Sequence, residues 1–141
     1  MNAYSKISRV RLNECHRDLQ IVFEKVLPYF DHSIICGTRG EQEQNVAFES
    51  GFSKVKDPNS KHNSYPSMAV DVMPYPIDWK DEKRMIFFAG FVMATAKRLK
   101  KEKKISHEIR WGGDWDRDLD LKDNKFQDYP HYELLKQKVY E

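Results

Sequence analysis

Four side chains with the chemistry of a catalytic metal site occur in two separate segments of the sequence. His62 precedes Asp71 by nine residues, and Asp128 precedes His131 by three. A catalytic zinc takes three protein ligands from His, Asp or Glu and leaves a fourth position open for water. Two imidazoles and one carboxylate complete such a set, and a further carboxylate outside it can serve as general base and then acid. We therefore take His62, Asp71 and His131 as candidate metal ligands and Asp128 as the candidate acid–base residue.

A weaker candidate cation site lies in the acidic segment after Trp111. Its carboxylates alternate along the chain as in an EF-hand loop: Asp114, Asp116, Asp118 and Asp120. Leu119 occupies the position where that loop requires Gly, and Lys125 the position of its final Glu. A regulatory calcium site is therefore a secondary hypothesis for this segment.

The candidate ligands need particular backbone elements to bring them together. Residues 68–73 alternate as in a strand that buries Met68, Val70 and Val72 and turns Asp71 to the open face. A straight strand would put Asp128 and His131 on opposite faces, so the pattern requires a turn at Tyr129-Pro130. If that segment were straight, Glu133 would be the competing acid.

Helical periodicity surrounds these strands. Apolar residues at spacings of three and four predict a helix over about residues 8–29 and a long one over about 80–103. Thr38 and Glu41 fit a capping box that begins a helix ending near Ser50. A short strand is predicted at residues 32–37, a polar loop at residues 52–66, and a last strand or turn at residues 129–135; residues 109–111 belong to the same final region. This order of elements does not decide between a parallel and an antiparallel sheet.

Composition places limits on the function. A chain of 141 residues is the usual size of one domain, so we expect a single domain over residues 1–141. The net charge of +2 mixes both signs and lacks the basic stripe of a nucleic-acid binder. We find no apolar run of signal-peptide or membrane-spanning length, which predicts no membrane insertion and no export signal. Cys15 and Cys36 are expected to be reduced core residues.

Several blocks of the sequence together resemble one family. Ser60-Lys61-His62, Ala69-Val70-Asp71 and Asp128-Tyr129-Pro130-His131 are similar to the signature of the zinc peptidases that include D-alanyl-D-alanine carboxypeptidases, D-Ala-D-Ala dipeptidases and phage L-alanyl-D-glutamate endopeptidases. Gly-Thr-Arg before a helix and Trp-Gly-Gly-Asp-Trp favour the phage endolysin branch. The resemblance extends from about Cys36 to Leu134.

The resemblance implies an α+β fold in which a small, mainly antiparallel sheet packs with three main helices, as in the hedgehog signalling domain and the DD-peptidases. It also implies one catalytic Zn²⁺. The ligands would be His62, Asp71 and His131. Asp128 would be the catalytic acid, and Arg39 would stabilise the carbonyl oxygen under attack. Two residues are expected to contact substrate: Ser60 and Trp111, with Trp115 and Tyr129 as further aromatic candidates for the cleft wall.

This chain departs from the commoner family pattern between the first two ligands. The loop from His62 to Asp71 is longer by two residues, and Tyr65-Pro66-Ser67 stands where the family has a Gly. Proline can fix the resulting bulge, so we expect the change to affect the shape of the pocket more than metal binding.

The function implied by the resemblance is that of an endolysin, a peptidoglycan hydrolase that cuts the stem peptide at the L-Ala–D-Glu bond through a zinc-activated water. The alternatives are a D-Ala-D-Ala carboxypeptidase or dipeptidase of the same fold and a non-catalytic zinc-containing module that binds the cell wall. We expect a monomer that stays in the host cytoplasm until a holin-type membrane protein gives access to the periplasm and wall. Host cell lysis is the expected outcome.

Overall fold

Three helices and four strands make up the part of the chain that the computed structural model describes, residues 1–40, 49–50, 61–122 and 127–137. The elements follow in this order: α1 Lys6–Asn13, α2 Arg17–Val26, β1 His32–Cys36, β2 Ala69–Pro74, α3 Glu82–Lys101, β3 Ile109–Trp111 and β4 His131–Leu134. A 3-10 turn, Lys61–Asn63, precedes β2. Most of the helix expected from Thr38, most of the polar loop and the candidate Ser60 lie outside the described residues.

The four strands form one antiparallel sheet in the order β1-β2-β4-β3. This arrangement settles the open choice of sheet type and confirms the expected α+β class with a small antiparallel sheet. The strand β4 lies between β2 and β3, although it follows both in the chain. Its register with β2 places His131 directly opposite Asp71 and Glu133 opposite Ala69.

The prediction of one helix over residues 8–29 is wrong, because α1 ends at Asn13 and α2 begins at Arg17. The three residues between them pair with the segment that leads into β2. The Ser67 amide donates to the Glu14 carbonyl at 2.8 Å, and the His16 amide donates to the Ser67 carbonyl at 2.9 Å. Backbone pairing to a distant segment therefore overrides a continuous apolar periodicity, and it fixes the helices relative to β2.

One hydrophobic core joins the helices to the sheet. Its fully buried members include Leu19, Phe23, Val70, Phe88 and Tyr132. The predicted alternation of β2 is confirmed where it matters for the site, since Val70 and Val72 are buried and Asp71 is turned to the other face. Ala69 is also fully buried on that other face.

The long helix α3 is confirmed with slightly shorter limits than predicted. The side chain of Asp81 caps it by accepting from the Arg84 amide at 3.1 Å, and basic residues occupy its last turn. Cys15 and Cys36 are not paired with each other; Cys15 is a buried core residue as expected, whereas Cys36 is only half-buried. None of the helices in the described ranges has both the length and the apolar character needed to cross a bilayer.

Candidate metal centre

Asp71 stands at the centre of the candidate site because both of its carboxylate oxygens face a basic group. Oδ1 lies 3.3 Å from His62 Nε2 and 3.3 Å from His131 Nδ1. Oδ2 accepts a hydrogen bond from Arg39 Nη2 at 3.1 Å. The structure thus brings together the three predicted ligands, one from a 3-10 turn and two from adjacent strands.

The ring of His62 is oriented by the backbone that follows β1. Its Nδ1–H donates to the Gly37 carbonyl at 2.7 Å, and the side chain is almost completely buried. A neutral imidazole that donates through Nδ1 presents Nε2 as its lone pair, and here Nε2 is the atom that faces Asp71. The hydrogen bond to Gly37 therefore selects the ring nitrogen that is offered to a metal.

His131 is oriented in the opposite sense. Its Nε2 lies 2.8 Å from Glu133 Oε1, so this nitrogen donates its proton to the carboxylate and leaves Nδ1 toward Asp71. A histidine that binds metal usually donates its second N–H to a carboxylate or a carbonyl. Both histidines of the cluster have such a partner, Gly37 for His62 and Glu133 for His131.

The spacing of these ligand atoms fits zinc. Ligands that lie about 2.0–2.1 Å from a tetrahedral zinc are about 3.3–3.4 Å from one another. The two distances from Asp71 Oδ1 to the imidazole nitrogens are both 3.3 Å, and all three ligand atoms lie within 4.8 Å of one another. The donor set of two imidazoles and one carboxylate is also one that zinc accepts, so the residues present fit the ion that the resemblance implies.

The electrostatics of the cluster favour a cation. Burial by itself would raise the pKa of Asp71, but the two imidazoles hold it far below its usual range. Burial lowers the pKa of His62 and His131, yet the Asp71 carboxylate outweighs this effect and raises the two values to about 10 and about 9. In the absence of a metal ion, the carboxylate therefore holds protons on the imidazoles, and a metal ion would replace those protons.

Asp128 lies on the turn that the sequence required before β4. The His131 amide donates to the Asp128 carbonyl at 3.1 Å, which closes the turn at Tyr129-Pro130. Burial and the nearby Asp71 charge raise the pKa of Asp128 to about 6, while His131, His62 and Arg39 oppose that rise. The charged groups that act on its pKa are the three clustered ligands and Arg39, so Asp128 lies close to the cluster without being one of its ligands.

Glu133, the competing acid of the straight-strand alternative, is committed to other partners. Besides His131, it pairs with Arg110 at 2.8 Å and with Lys61 at 3.2 Å. Burial would raise its pKa, but these partners lower it to about 2. A carboxylate with so low a proton affinity is a poor general base near neutral pH, which leaves Asp128 as the better candidate.

The predicted oxyanion-stabilising and substrate-binding residues lie at different distances from the metal cluster. Arg39 is mostly buried and holds Asp71, and its backbone amide donates to the His62 carbonyl at 2.7 Å. Trp111 is only 6% exposed, and its indole N–H donates to the Tyr129 carbonyl. Trp111 belongs to the hydrophobic core, and its contact with substrate stays a prediction. Trp115 instead lies beside the metal cluster, with its ring centroid 5.5 Å from that of His131.

The acidic loop after β3 gathers three of its four carboxylates: Asp114, Asp116 and Asp118 lie within 4.8 Å of one another. Leu119, which stands where an EF-hand has Gly, adopts a positive φ of 67° and donates its amide to Asp114 Oδ2 at 3.0 Å. The backbone conformation that Gly favours is thus present without Gly. Lys125 lies outside the described residues, and the calcium hypothesis stays a prediction that titration of activity with calcium tests.

A further cluster of His16, Asp18 and His107 has a structural explanation. His16 Nδ1 accepts from the Asp18 amide and caps α2, so its other nitrogen carries the proton. Asp18 Oδ2 accepts from His107 Nδ1 at 2.7 Å and from the amides of Ser106 and His107. These atoms already form the bonds that tie α2 to the chain before β3, so we assign the cluster a structural role.

Two parts of the site were not predicted from the sequence. The carbonyl of Gly37 orients His62, and no side-chain pattern announces a backbone acceptor. The role of Glu133 beside His131 had one available signal, the period of two that places both residues on the same strand face. That signal identified Glu133 as a possible acid, but the partners that occupy it became visible only with the strand pairing.

Comparisons with known proteins agree with this geometry. Residues 2–135 match the family model described as phage L-alanyl-D-glutamate peptidase. Among solved structures, the chain is similar to the Serratia marcescens L-Ala D-Glu endopeptidase ChiX, with a TM-score of 0.65 and 24% identity. That match covers 95% of this chain and 91% of the other, and it supports the likeness of fold. A comparison with curated proteins gives no match.

Proposed function

Because the chain belongs to the family of phage L-alanyl-D-glutamate peptidases, we propose that this peptidase is a zinc enzyme that cuts the L-Ala–D-Glu bond of the peptidoglycan stem peptide. One observation carries the proposal. Two imidazole nitrogens approach the same oxygen of Asp71 at 3.3 Å, and the second nitrogen of each ring already has an acceptor. This is the donor set of a three-ligand zinc site, and the two distances equal the ligand spacing expected around a tetrahedral zinc.

The three ligands would be His62, Asp71 and His131. Zinc, when bound there, supplies a Lewis acid that polarises a carbonyl and lowers the pKa of a water molecule. Arg39 holds the second oxygen of Asp71 and keeps the carboxylate in one orientation. The two histidines are held by Gly37 and Glu133, so the ligands would need little reorganisation when a metal ion binds.

Asp128 would move the proton. Burial and Asp71 raise its pKa to about 6, close to the range in which a carboxylate exchanges protons readily at neutral pH. In the proposed reaction, its carboxylate accepts a proton from the attacking water and later returns that proton to the leaving amine of D-Glu. Arg39, whose positive charge also acts on Asp128, would stabilise the oxyanion at the scissile carbonyl.

Analysis of cleavage products tests this proposal. Purified peptidoglycan is incubated with the zinc-loaded protein, and the new chain ends are identified by mass spectrometry. Free L-Ala carboxyl ends together with D-Glu amino ends would support the endopeptidase. Release of D-Ala alone would reassign the chain as a carboxypeptidase, and wall binding without new ends would favour the non-catalytic module. Chelator-treated protein is the matched control. The expected holin-type partner, monomeric state and host cell lysis stay predictions.

A further inference from the structure

Glu133 binds three partners that belong to different parts of the site. Oε1 accepts from His131 Nε2 at 2.8 Å, whereas Oε2 lies 2.8 Å from Arg110 Nη2 and 3.2 Å from Lys61 Nζ. Its side chain is 8% exposed. A buried carboxylate is stable only when its oxygens are paired, and this one has a separate partner for each oxygen.

The bond to Lys61 connects two segments that carry metal ligands. Lys61 precedes His62 on the 3-10 turn, and its ammonium also donates to the Leu134 carbonyl of β4. Glu133 and His131 both belong to β4. Through Lys61, the strand that bears one histidine thus holds the turn that bears the other.

Arg110 connects the same carboxylate to the aromatic neighbour of His131. Its guanidinium lies 5.3 Å from the centroid of the Trp115 ring, and that ring packs beside His131. His131 is thereby held at Nε2 by Glu133 and on its ring by Trp115. Arg110 joins these two supports to each other.

We propose that Glu133 is a positioning residue that fixes His131 with Nε2 protonated and Nδ1 directed at the metal, an inference that rests on the proposed zinc function. Glu133 does not touch the scissile bond and takes no proton in the reaction. Its effect passes through the orientation of His131 and through the Lys61 link to His62. Loss of such an outer partner typically weakens metal binding by about 10- to 100-fold.

The experiment measures zinc affinity by chelator competition in three variants. Glu133→Ala removes the acceptor, and we expect a loss of about 10- to 100-fold in affinity. Glu133→Gln keeps the shape and an oxygen that can still accept from His131, so its loss should be smaller. Glu108→Ala is the matched control, because Glu108 is an exposed acid paired with Arg117 away from the metal cluster. Its zinc affinity should equal that of the parent chain.

A spectroscopic readout separates positioning from general stabilisation. In the zinc-loaded protein labelled with ¹⁵N-histidine, NMR should show His131 bound through Nδ1 with a slowly exchanging proton on Nε2. In Glu133→Gln that proton should persist but shift, since a neutral acceptor makes a weaker bond. This variant decides the matter if Glu133→Ala does not fold.

Two results would have different meanings. Unchanged zinc affinity and an unchanged His131 spectrum in both Glu133 variants would overturn the positioning role while leaving the zinc peptidase intact. A parent chain that binds no zinc at all would instead overturn the proposed function, and the positioning role with it.

Discussion

Asp71 divides its two oxygens between different tasks. Oδ2 is held by Arg39, so Oδ1 is the oxygen that meets both imidazoles. A carboxylate bound on one oxygen by a guanidinium cannot rotate freely, and this restriction explains how a single Asp maintains equal 3.3 Å distances to two histidines. The sequence predicted the three ligands by residue type and spacing, but it gave no sign that Arg39 would hold one of them.

Because Asp71 would be a metal ligand and Asp128 the acid–base residue, replacing Asp128 should have a specific effect. Asp128→Asn removes the group that would exchange the proton but leaves all three clustered ligands in place. We expect peptidase activity to fall by about 10²- to 10⁴-fold, while the zinc content stays near that of the parent chain. Activity on peptidoglycan and metal analysis of the same preparation check this. Loss of zinc together with activity would show that Asp128 is a ligand and not the base.

At the scale of elements, the turn before β4 depends on a close backbone approach at Gly112. The Gly112 amide donates to the His131 carbonyl and its carbonyl accepts from the Asp128 amide, both at 2.8 Å. A Cβ at this position would lie 2.1 Å from the Asp128 carbonyl oxygen. Backbone atoms cannot move aside as a flexible side chain can. Only Gly at position 112 therefore allows the close approach and the two hydrogen bonds that hold the turn with Asp128 in place.

We therefore expect Gly112→Ala to displace the turn and lower peptidase activity, with a loss of about 1–3 kcal/mol in the free energy of unfolding. Gly90→Ala is the matched control, because a Cβ there meets nothing within 4 Å. Since Gly90 lies inside α3, its replacement should stabilise the chain by about 0.5–1 kcal/mol and leave activity unchanged. Urea unfolding and the peptidase assay distinguish the two variants. Equal behaviour of both would contradict the close approach at Gly112.

The start of β1 supplies a pH-dependent contact that is separate from the metal cluster. His32 is 2% exposed, and its Nδ1 donates to the Phe30 carbonyl at 2.8 Å. Its Nε2 therefore accepts from the Tyr4 hydroxyl at 2.6 Å, which requires the neutral ring. Burial lowers the pKa of His32 to about 4.

Because the unfolded chain binds a proton at His32 near pH 6.5 and the folded chain does not, the stability from this group is complete above that pH. It is lost as the pH falls from about 6.5 to about 4, with an upper limit of about 3 kcal/mol. We expect His32→Gln to reduce the loss of stability over this range. Urea unfolding of both chains at pH 7 and pH 4.5 measures the difference. If the free energy of unfolding fell equally in both chains between these pH values, His32 would not be a source of the pH dependence.

At the scale of the whole molecule, the fold does not depend on a metal ion for its core. The described residues share one hydrophobic core of helices and sheet, and the metal cluster lies on the face of β2 opposite to the core residues Val70 and Val72. In the absence of a metal ion, Arg39 still pairs with the Asp71 carboxylate and both imidazoles still face it, so metal removal leaves that buried charge with partners.

Removal of zinc by a chelator should therefore abolish peptidase activity and leave the far-UV circular dichroism unchanged. The free energy of unfolding should fall only by the binding contribution, about 4 kcal/mol when zinc is present at a thousand times its dissociation constant, and the melting temperature should fall accordingly. Added zinc should restore activity. Loss of the circular dichroism signal on chelation would show instead that the chain needs the bound metal ion in order to stay folded.

Much of this architecture was predictable from local patterns. The alternation around Asp71, the periodicity of α3 and the Pro130 turn are signals carried by neighbouring residues, and the structure confirms each of them. The break between α1 and α2 was not predictable, because its cause is the pairing of Cys15 with the distant Ser67. Long-range pairing also fixed the sheet order and the partners of Glu133, and a single sequence contains no direct signal for it.

The position of β4 between β2 and β3 has a kinetic consequence. Pairing between segments far apart in sequence forms slowly, because the chain must first close a large loop. Asp71 and His131 are sixty residues apart and meet only when β4 inserts between its two neighbours. A chain whose helices have already collapsed onto β1 and β2 would still have an incomplete ligand set. We therefore expect that activity recovers during refolding only once β4 has paired with β2, and no earlier than the far-UV circular dichroism signal.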